Sequence, residues 1–327
     1  MKTLAFFNNT GGAGKTTLVY HLAHMVALLG RRVLVIDLDP QSNLTAMCLS
    51  EERLEDIWPE STNHPQSVFG SIFPLLQGTG DIAEPHIEPL AEGLALVPGD
   101  IALSTFEDLL ANAWPRATTR DESAYQTLSV FHRLAHQAAK AHGADMVFFD
   151  VGPTLGALNR AVFLSSDFLV TPLSPDLFSM HGLRSLGPKL LDWRQGWKER
   201  LELRPDSALQ LPQGNMEPLG YVLMQSFMRL RHPIQAYDRW VRRMPGEYHR
   251  SLLRDTSEPA TVQLDPACLG TMHHYYSLMS LAQDAHKPMF SLRPADGAFG
   301  AQMETVQRCR ADFELIAHNI IRLVGVQ

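Results

Sequence analysis

Short, wholly apolar runs alternate along this chain with longer segments in which apolar residues recur at helical spacing. The run Leu4–Phe7 is followed by a helical pattern over Thr16–Leu29 and then by a second apolar run, Val33–Ile36. Runs that are apolar on both faces are typical of central strands in a parallel sheet. The pattern therefore predicts strand Thr3–Phe7, helix Thr16–Leu29 and strand Arg32–Asp37, which together form a βαβ unit.

The same alternation continues through the rest of the chain. It predicts strands at residues 94–97, 146–149, 168–171 and 219–224, and helices at residues 125–141, 158–165 and 306–324. Strands that alternate with helices indicate an α/β fold with a doubly wound, mostly parallel sheet and helices on both faces. In such a sheet, ligands bind at the carboxyl ends of the strands.

Two stretches interrupt this alternation. Residues 51–66 are polar with scattered prolines, and residues 204–218 contain three prolines and a glycine. Both compositions predict surface loops. Neither stretch is typical of a linker between independent domains, so we predict a single domain over residues 1–327 with loop insertions near 51–66 and 204–218.

Composition narrows the class of protein. The chain has 327 residues and a formal net charge of −7, so attraction of the whole molecule to nucleic acid is not expected, although a local basic patch remains possible. Cys48, Cys268 and Cys309 are too widely spaced for a CxxC metal pair and form no disulfide framework, which favours a reducing cytoplasm. Apolar runs stay well short of the roughly 18 residues of a membrane span, and the N-terminal run does not resemble a signal peptide.

The first strand–helix junction carries the chemistry of a phosphate-binding loop. From residue 6 to residue 17 the chain reads Phe-Phe-Asn-Asn-Thr-Gly-Gly-Ala-Gly-Lys-Thr-Thr. Gly11, Gly12 and Gly14 let the backbone curl so that several N–H groups point at one anion, and the start of the helix adds its positive end. Lys15 supplies a full charge for the β- and γ-phosphates, and the Thr16 hydroxyl can ligate Mg²⁺.

Two acidic motifs follow at the ends of later predicted strands. The second strand ends in Asp37-Leu-Asp39-Pro-Gln, and the strand at 146–149 runs directly into Asp150. The carboxylates of the first motif would face the phosphate loop, and four apolar residues followed by Asp form a Walker B strand. Phosphoryl transfer depends on holding the metal ion and the attacking water in position, which carboxylates at these places can do.

Together these motifs resemble the deviant phosphate loop of the ParA/MinD-type ATPases, Lys-Gly-Gly-x-Gly-Lys-[Ser/Thr]-Thr, and the ParA family most of all. Asn9 stands where the ordinary P-loop has glycine, and Thr10 stands where the deviant form has its first lysine. Gly152 departs mildly from the family's Asp-x-Pro-Pro segment. The resemblance implies a P-loop NTPase fold with ATP and Mg²⁺ as cofactors.

The resemblance also implies roles for individual residues. The residues that bind the nucleotide phosphates would be Gly11, Gly12, Ala13, Gly14, Lys15, Thr16 and Thr17. The Mg²⁺ site would comprise Thr16, Asp37 and Asp150. Lys15 and Asp39 would be catalytic, with Asp39 positioning or polarising the attacking water. Gln225 lies where the family often contacts adenine.

The replacement of the first motif lysine bears on turnover. In this family that lysine reaches across a nucleotide-sandwich dimer to the phosphates of the other subunit, and Thr10 has no charge to supply there. Three outcomes remain open: slow hydrolysis, another cation in its place, or a dimer without this contact. Retention of Asp39 and Asp150 favours a protein that still hydrolyses ATP.

Partners are suggested by a locally basic segment, Arg229–Arg250, in which Tyr237 and Trp240 interleave with arginines. Part of it, residues 233–243, is predicted to form a short amphipathic helix. By resemblance to ParA-type proteins it would bind DNA without sequence preference, although a solvated charged face or a protein-binding surface is also compatible with the pattern. The final helix has too few basic residues for a membrane anchor and is predicted to pack on the core.

The favoured interpretation is a cytoplasmic, ParA-like Mg–ATP switch. It would form a nucleotide-dependent homodimer and, with a cargo or adaptor protein, position or segregate DNA or another cargo. The alternative is a nucleotide-sensing subunit of a larger secretion or defence complex, with weak or no hydrolysis. A metabolic enzyme that uses ATP to activate a small molecule is a third possibility.

Overall fold

The computed structural model describes residues 1–12, 14–60, 63–224, 234–256, 259 and 261–326. The strands are β1 Lys2–Phe6, β2 Val33–Leu38, β3 Glu88–Ala91, β4 Leu94–Val97, β5 Met146–Val151, β6 Phe168–Leu173, β7 Glu217–Met224 and β8 Cys268–Met272. Within the described residues they form one eight-stranded sheet in the order β3-β4-β2-β5-β1-β6-β7-β8. Its neighbouring strands are parallel except for the antiparallel pair β3–β4, so the predicted mostly parallel sheet is confirmed.

Helices cover both faces of this sheet. They are α1 Lys15–Leu28, α2 Asn43–Cys48, α3 Glu51–Ile57, α4 Val68–Leu76, α5 Glu107–Arg116, α6 Glu122–Leu128, α7 Val130–His142, α8 Ala157–Leu164, α9 Leu177–Leu203, α10 Ile234–Tyr248, α11 Tyr276–Asp284 and α12 Ala301–Val324. Short 3₁₀ turns cover Ile101–Phe106, Ala117–Thr119, Val262–Leu264, Met289–Ser291 and Pro294–Asp296, and a π-helical turn covers His249–Leu253.

The core consists of two apolar layers, one on each face of the sheet. Successive residues of a strand point to opposite faces, so Ala5 and Phe7 enter one layer while Leu4 and Phe6 enter the other. The first layer contains buried residues of α4 to α10, and the second contains those of α1, α2, α3, α11 and α12. Burial on both faces explains why the central strands read as continuous apolar runs.

The predicted strands agree with the structure to within about two residues at each end, but residues 51–66 do not form the predicted loop throughout. Residues 51–57 form helix α3, so the loop prediction is wrong there. The Ser50 hydroxyl accepts a hydrogen bond from Arg53 N at 3.3 Å and caps this helix. Glu51 and Glu52 in the first turn complement the helix dipole. A helix with Ile57 as its buried residue shows no amphipathic repeat, which is why the pattern failed to reveal it.

The predicted helix over residues 125–141 is two helices, α6 and α7, that meet at Ser129. The Ser129 hydroxyl donates to the carbonyl oxygen of Tyr125 at 2.7 Å. Hydroxyls that bond back to the preceding turn bend or interrupt helices. The predicted loop at 204–218 is irregular up to residue 216, and β7 begins at Glu217.

Helix α9 has 27 residues and was not predicted, because three glycines and Pro188 lie inside it. Two of these glycines permit close packing. A Cβ on Gly182 would lie 2.0 Å from Asn9 Oδ1, and a Cβ on Gly187 would lie 2.0 Å from the carbonyl oxygen of Ser251. The glycines therefore serve contacts with other elements and do not end the helix.

The C-terminal helix α12 packs on the core as predicted and buries Phe313, Ile316 and Ile320. Among the described residues, no helix combines the length and the apolarity that crossing a membrane requires.

Candidate nucleotide-binding site

The predicted site residues Lys15, Asp39 and Asp150 lie at neighbouring strand ends on one edge of the sheet. Lys15 begins α1 after the loop that follows β1, Asp39 follows β2, and Asp150 lies near the end of β5. Strand β5 lies between β1 and β2, so Asp150 is level with Phe6 on one side and with Asp37 on the other. The sheet order therefore brings all three sequence motifs to the edge at which a doubly wound sheet binds its ligand.

The glycine-rich loop adopts the left-handed backbone that its composition predicts. Gly12 and Gly14 have φ angles of +76° and +78°, which side-chain-bearing residues rarely adopt. Gly14 is also the N-cap of α1, and a Cβ there would lie 3.2 Å from Met224 Cε. Ala13 lies outside the described residues. The loop thus ends at the positive end of a 14-residue helix, as an anion-binding loop requires.

Asn8 anchors the start of this loop to the neighbouring strand. Its Nδ2 donates to the carbonyl oxygen of Pro172 in β6 at 2.6 Å, and its Oδ1 accepts from Thr10 N at 2.8 Å. Because Asn8 is buried, these bonds are shielded from water. They hold Thr10, which stands at the position of the first lysine in the resembled motif, close to β6.

The Lys15 side chain is buried and points at two carboxylates. Its Nζ forms an ion pair with Asp150 Oδ1 and lies 4.0 Å from Asp39 Oδ2. The Thr16 hydroxyl donates to Asp150 Oδ2 at 2.8 Å. Lys15 thus provides a cation for phosphate oxygens, and Thr16 and Asp150 provide hydroxyl and carboxylate oxygens for Mg²⁺. These three side chains are in mutual contact, and together they suit a magnesium nucleotide.

Burial dominates the electrostatics of the acidic residues. Desolvation raises the pKa of Asp150, although Lys15 and Thr16 act against this shift. Burial and the neighbouring Asp150 raise the pKa of Asp37 to about 7, while hydrogen bonds from Thr45 oppose the shift. A divalent cation bound near these carboxylates would favour their charged forms.

Asp37 is occupied by contacts that the sequence did not reveal. Its Oδ2 accepts hydrogen bonds from Thr45 N at 2.9 Å and Thr45 Oγ1 at 2.7 Å, and its Oδ1 accepts from Asp39 N at 3.2 Å. Gly99 lies so close that a Cβ there would be 2.8 Å from Asp37 Cγ. Asp37 therefore fastens α2 to the end of β2, and its predicted support of the metal shell stays a prediction.

Asp39 is buried beside the loop that follows β5. Its Oδ1 accepts from Gln41 N at 3.0 Å, which closes a turn over Pro40. A Cβ on Gly152 would lie 3.3 Å from the same oxygen. The glycine that departs from the resembled pattern thus leaves space beside the carboxylate proposed to orient water.

Of the remaining predicted residues, those that the structure describes do not belong to this cluster of side chains. Thr17 lies on the first turn of α1, and its carbonyl oxygen accepts from the His21 ring. Gln225 and the first arginines of the basic segment lie outside the described residues. The sequence did not single out Thr45, Glu107 and Asn159, which hold the segments after β2 and β5; only Thr45, close behind the Asp-x-Asp motif, offered a local signal.

His21 joins helix α1 to the turn that begins at Met289, and it gives a prediction for the pH dependence of stability. Its Nδ1 lies 2.8 Å from Thr17 O and its Nε2 accepts from Met289 N at 3.1 Å, which a neutral ring satisfies fully. Burial lowers the pKa of His21 to about 3. In the unfolded chain the His21 ring takes up a proton below about pH 6.5, whereas in the folded protein it stays neutral. The free energy of unfolding therefore falls as the pH falls below about 6.5.

We expect His21→Gln to destabilise the protein at pH 7, and its deficit in unfolding free energy to shrink by about 2 kcal/mol at pH 5. A comparison with wild type is needed because the raised pKa of Asp37 acts in the opposite direction. Urea unfolding at both pH values measures the difference, and His318→Gln is the exposed-histidine control. A deficit that stays constant between the two pH values would contradict a neutral buried ring.

The sequence matches a known protein family and several of its members. Residues 1–203 match a family model described as an AAA domain. A virulence plasmid ParA family protein of Chlamydia psittaci is 33% identical over 188 residues, which span 57% of this chain and 62% of that protein. The chromosome-partitioning ATPase Soj of Thermus thermophilus is 29% identical over 206 residues, 62% of this chain and 67% of Soj.

A solved structure extends the likeness beyond these segments. Protein DIP2308 from Corynebacterium diphtheriae superposes with a TM-score of 0.73 at 29% identity, covering 99% of this chain and 98% of that one. The sequence matches thus span little more than half of the chain, whereas the structural match includes nearly all of it.

Proposed function

The chain belongs to the ParA/MinD-type P-loop ATPases, within the AAA domain family, and we propose that it is an ATP-driven switch that positions DNA or another cargo. The observation that carries the proposal is the meeting of Lys15, Thr16 and Asp150 beside Asp39. These residues supply a phosphate-binding cation, a metal site and a carboxylate for water. The names of the Chlamydia and Thermus relatives, a plasmid ParA protein and a chromosome-partitioning ATPase, support a cargo that is DNA.

The proposed roles follow from the side chains in contact. The amides of the glycine loop and Lys15 bind phosphate oxygens, and Thr16 with Asp150 holds Mg²⁺. When bound, Mg²⁺ neutralises charge on the phosphates. Asp39 accepts a hydrogen bond from the attacking water and orients it, and the turn over Pro40 keeps this carboxylate in place.

We propose a homodimer that forms in the ATP state. Thr10 is half-buried and its amide bonds to Asn8, so it offers neither charge nor reach toward a second subunit. Stabilisation of developing charge across the interface would then be weaker, and turnover slow.

Helix α10 is the candidate DNA surface. Arg239, Arg242 and Arg243 are exposed and share one face, since they lie three and four residues apart. The guanidinium groups of Arg239 and Arg243 lie 4.9 and 5.3 Å from the centroid of the Trp240 ring. Arg184 of α9 holds the helix through a paired contact with Glu247 at 2.7 and 3.0 Å. A row of exposed arginines on one helix face suits contacts with DNA phosphates.

The test is the molar mass in solution with Mg–ATP, Mg–ADP and no nucleotide, followed by binding of a short DNA duplex in the same three states. We expect a doubled mass and DNA binding only with Mg–ATP. Replacing Arg239, Arg242 and Arg243 with alanine should abolish DNA binding and leave the mass change intact. Arg116, Arg120 and Arg204 are exposed arginines on other elements, and their triple alanine variant is the charge-matched control.

A mass that is constant in all three states would contradict the nucleotide-driven dimer. It would favour the second candidate, a nucleotide-sensing subunit of a larger assembly, which the uncharged Thr10 supports.

A further inference from the structure

Glu107, the first residue of α5, binds the start of helix α8 with both carboxylate oxygens. Its Oε1 accepts from Ala157 N at 2.5 Å and its Oε2 accepts from Leu158 N at 2.8 Å. The first amides of a helix have no partner within it, and a carboxylate there also complements the helix dipole. One side chain, 50 residues earlier in the chain, thus satisfies the beginning of α8.

Glu107 lies so close to the backbone before α8 that a glycine is required there. A Cβ on Gly156, the residue before α8, would lie 2.5 Å from Glu107 Oε1. Because backbone and carboxylate are in direct contact here, a shift of one displaces the other.

The first turn of α8 in turn holds the loop that follows Asp150. Asn159 is buried, and its Nδ2 donates to the carbonyl oxygens of Gly152 at 2.7 Å and Thr154 at 2.5 Å. Asn159 therefore attaches this loop to the helical turn that Glu107 also binds. At its other end the loop continues from strand β5, which carries Asp150.

This loop sets the space beside Asp39. A Cβ on Gly152 would be 3.3 Å from Asp39 Oδ1, so a small movement of the loop toward Asp39 fills that space. Hydrogen bonds thus link Glu107 through α8 and Asn159 to Gly152, which lies beside Asp39.

The segment that begins at Gly99 and ends at Glu107 also touches the other acidic motif. Gly99 N donates to Thr45 Oγ1 at 2.8 Å, and Thr45 Oγ1 donates to Asp37. One connection after β4 therefore contacts the segments that follow both β2 and β5.

We propose that Glu107 is a positioning residue of the ATPase site, which holds the loop after Asp150 at the distance from Asp39 that hydrolysis requires. This rests on the proposed function of Asp39 and Asp150. Glu107 acts through α8 and Asn159 and not on ATP itself. Its replacement should therefore lower kcat and leave the KM for ATP nearly unchanged.

Three variants test this. Glu107→Gln keeps the shape but leaves one amide of α8 facing an NH₂ group, and Glu107→Asp restores the charge on a shorter side chain. Asp108→Asn removes the same charge from an exposed position on the same turn. Steady-state ATP turnover gives kcat and KM, and hydrogen exchange of residues 152–158, without nucleotide, reports on the loop directly.

We expect Glu107→Gln to lower kcat about 10- to 100-fold with KM changed less than about 3-fold, and to speed exchange in residues 152–158. Glu107→Asp should lie between this variant and wild type, and Asp108→Asn should match wild type. Wild-type kcat and exchange in Glu107→Gln would overturn the proposal and leave the proposed function standing. Faster exchange with unchanged kcat would also overturn it, because the carboxylate would then only stabilise the helix start.

The exchange measurement separates this inference from the proposed function. If wild type turned over no ATP while Glu107→Gln still loosened residues 152–158, the hydrolytic part of the proposed function would fall and the holding contact would stand.

Discussion

Lys15→Met should lower ATP turnover at least about 100-fold and abolish measurable Mg–ATP binding, because the variant loses the cation directed at the phosphates. In this structure the Lys15 ammonium also balances Asp150 and lies 4.0 Å from Asp39. Without it, phosphate would meet buried carboxylates with no compensating charge. Calorimetric titration with Mg–ATP and a steady-state turnover assay measure the two effects.

Lys140→Met is the matched control, since Lys140 is exposed in the last turn of α7 and the substitution is the same. Circular dichroism of both variants checks that loss of binding is not loss of fold. The interpretation of Lys15 would be wrong if Lys15→Met bound Mg–ATP as tightly as the control.

Asp39→Ala should lower turnover about 100-fold while Mg–ATP binding changes little, because Asp39 is proposed to orient water and not to bind phosphate. The ATP state would then persist, and the doubled molar mass expected with Mg–ATP would outlast that of wild type. Single-turnover hydrolysis and molar mass over time provide the measurements.

A second variant separates the effect of the Asp39 charge from the effect of the turn that Asp39 closes with Gln41. Asp39→Asn retains an oxygen that can accept from Gln41 N, so it preserves the turn over Pro40 and removes only the charge. Equal losses in Asp39→Ala and Asp39→Asn would support the water-orienting role. A loss confined to Asp39→Ala would assign the effect to the turn, and Asp56→Ala, at an exposed position on α3, is the control.

The sequence predicted the central part of the fold because local and global preferences agree there. The strands around Leu4 and Val35 are apolar on both faces as their burial demands, and the glycine loop has the backbone that its glycines allow. Parallel pairing then places the ends of β1, β2 and β5 side by side, so the convergence of Lys15, Asp39 and Asp150 followed from topology alone.

The remaining features depend on contacts between distant residues, which no local pattern records. The bonds of Asp37 come from Thr45, eight residues later, and Gly99 closes over it from the connection after β4. Helix α9 tolerates glycines because Gly182 meets Asn9 from the phosphate loop. Glu107 and Ala157 are 50 residues apart, so their contact is visible only in the folded chain.

The stacking of His21 on Phe313, with ring centroids 5.0 Å apart, has a consequence for how this family is delimited. The recognisable family segment ends at residue 203, yet residues after 260, including Met289 and Phe313, belong to the same apolar layer as α1. The segment that identifies the family therefore shares its apolar core with residues beyond its end. Substitutions of these later residues are therefore expected to reach the phosphate loop through helix α1, which begins where the loop ends.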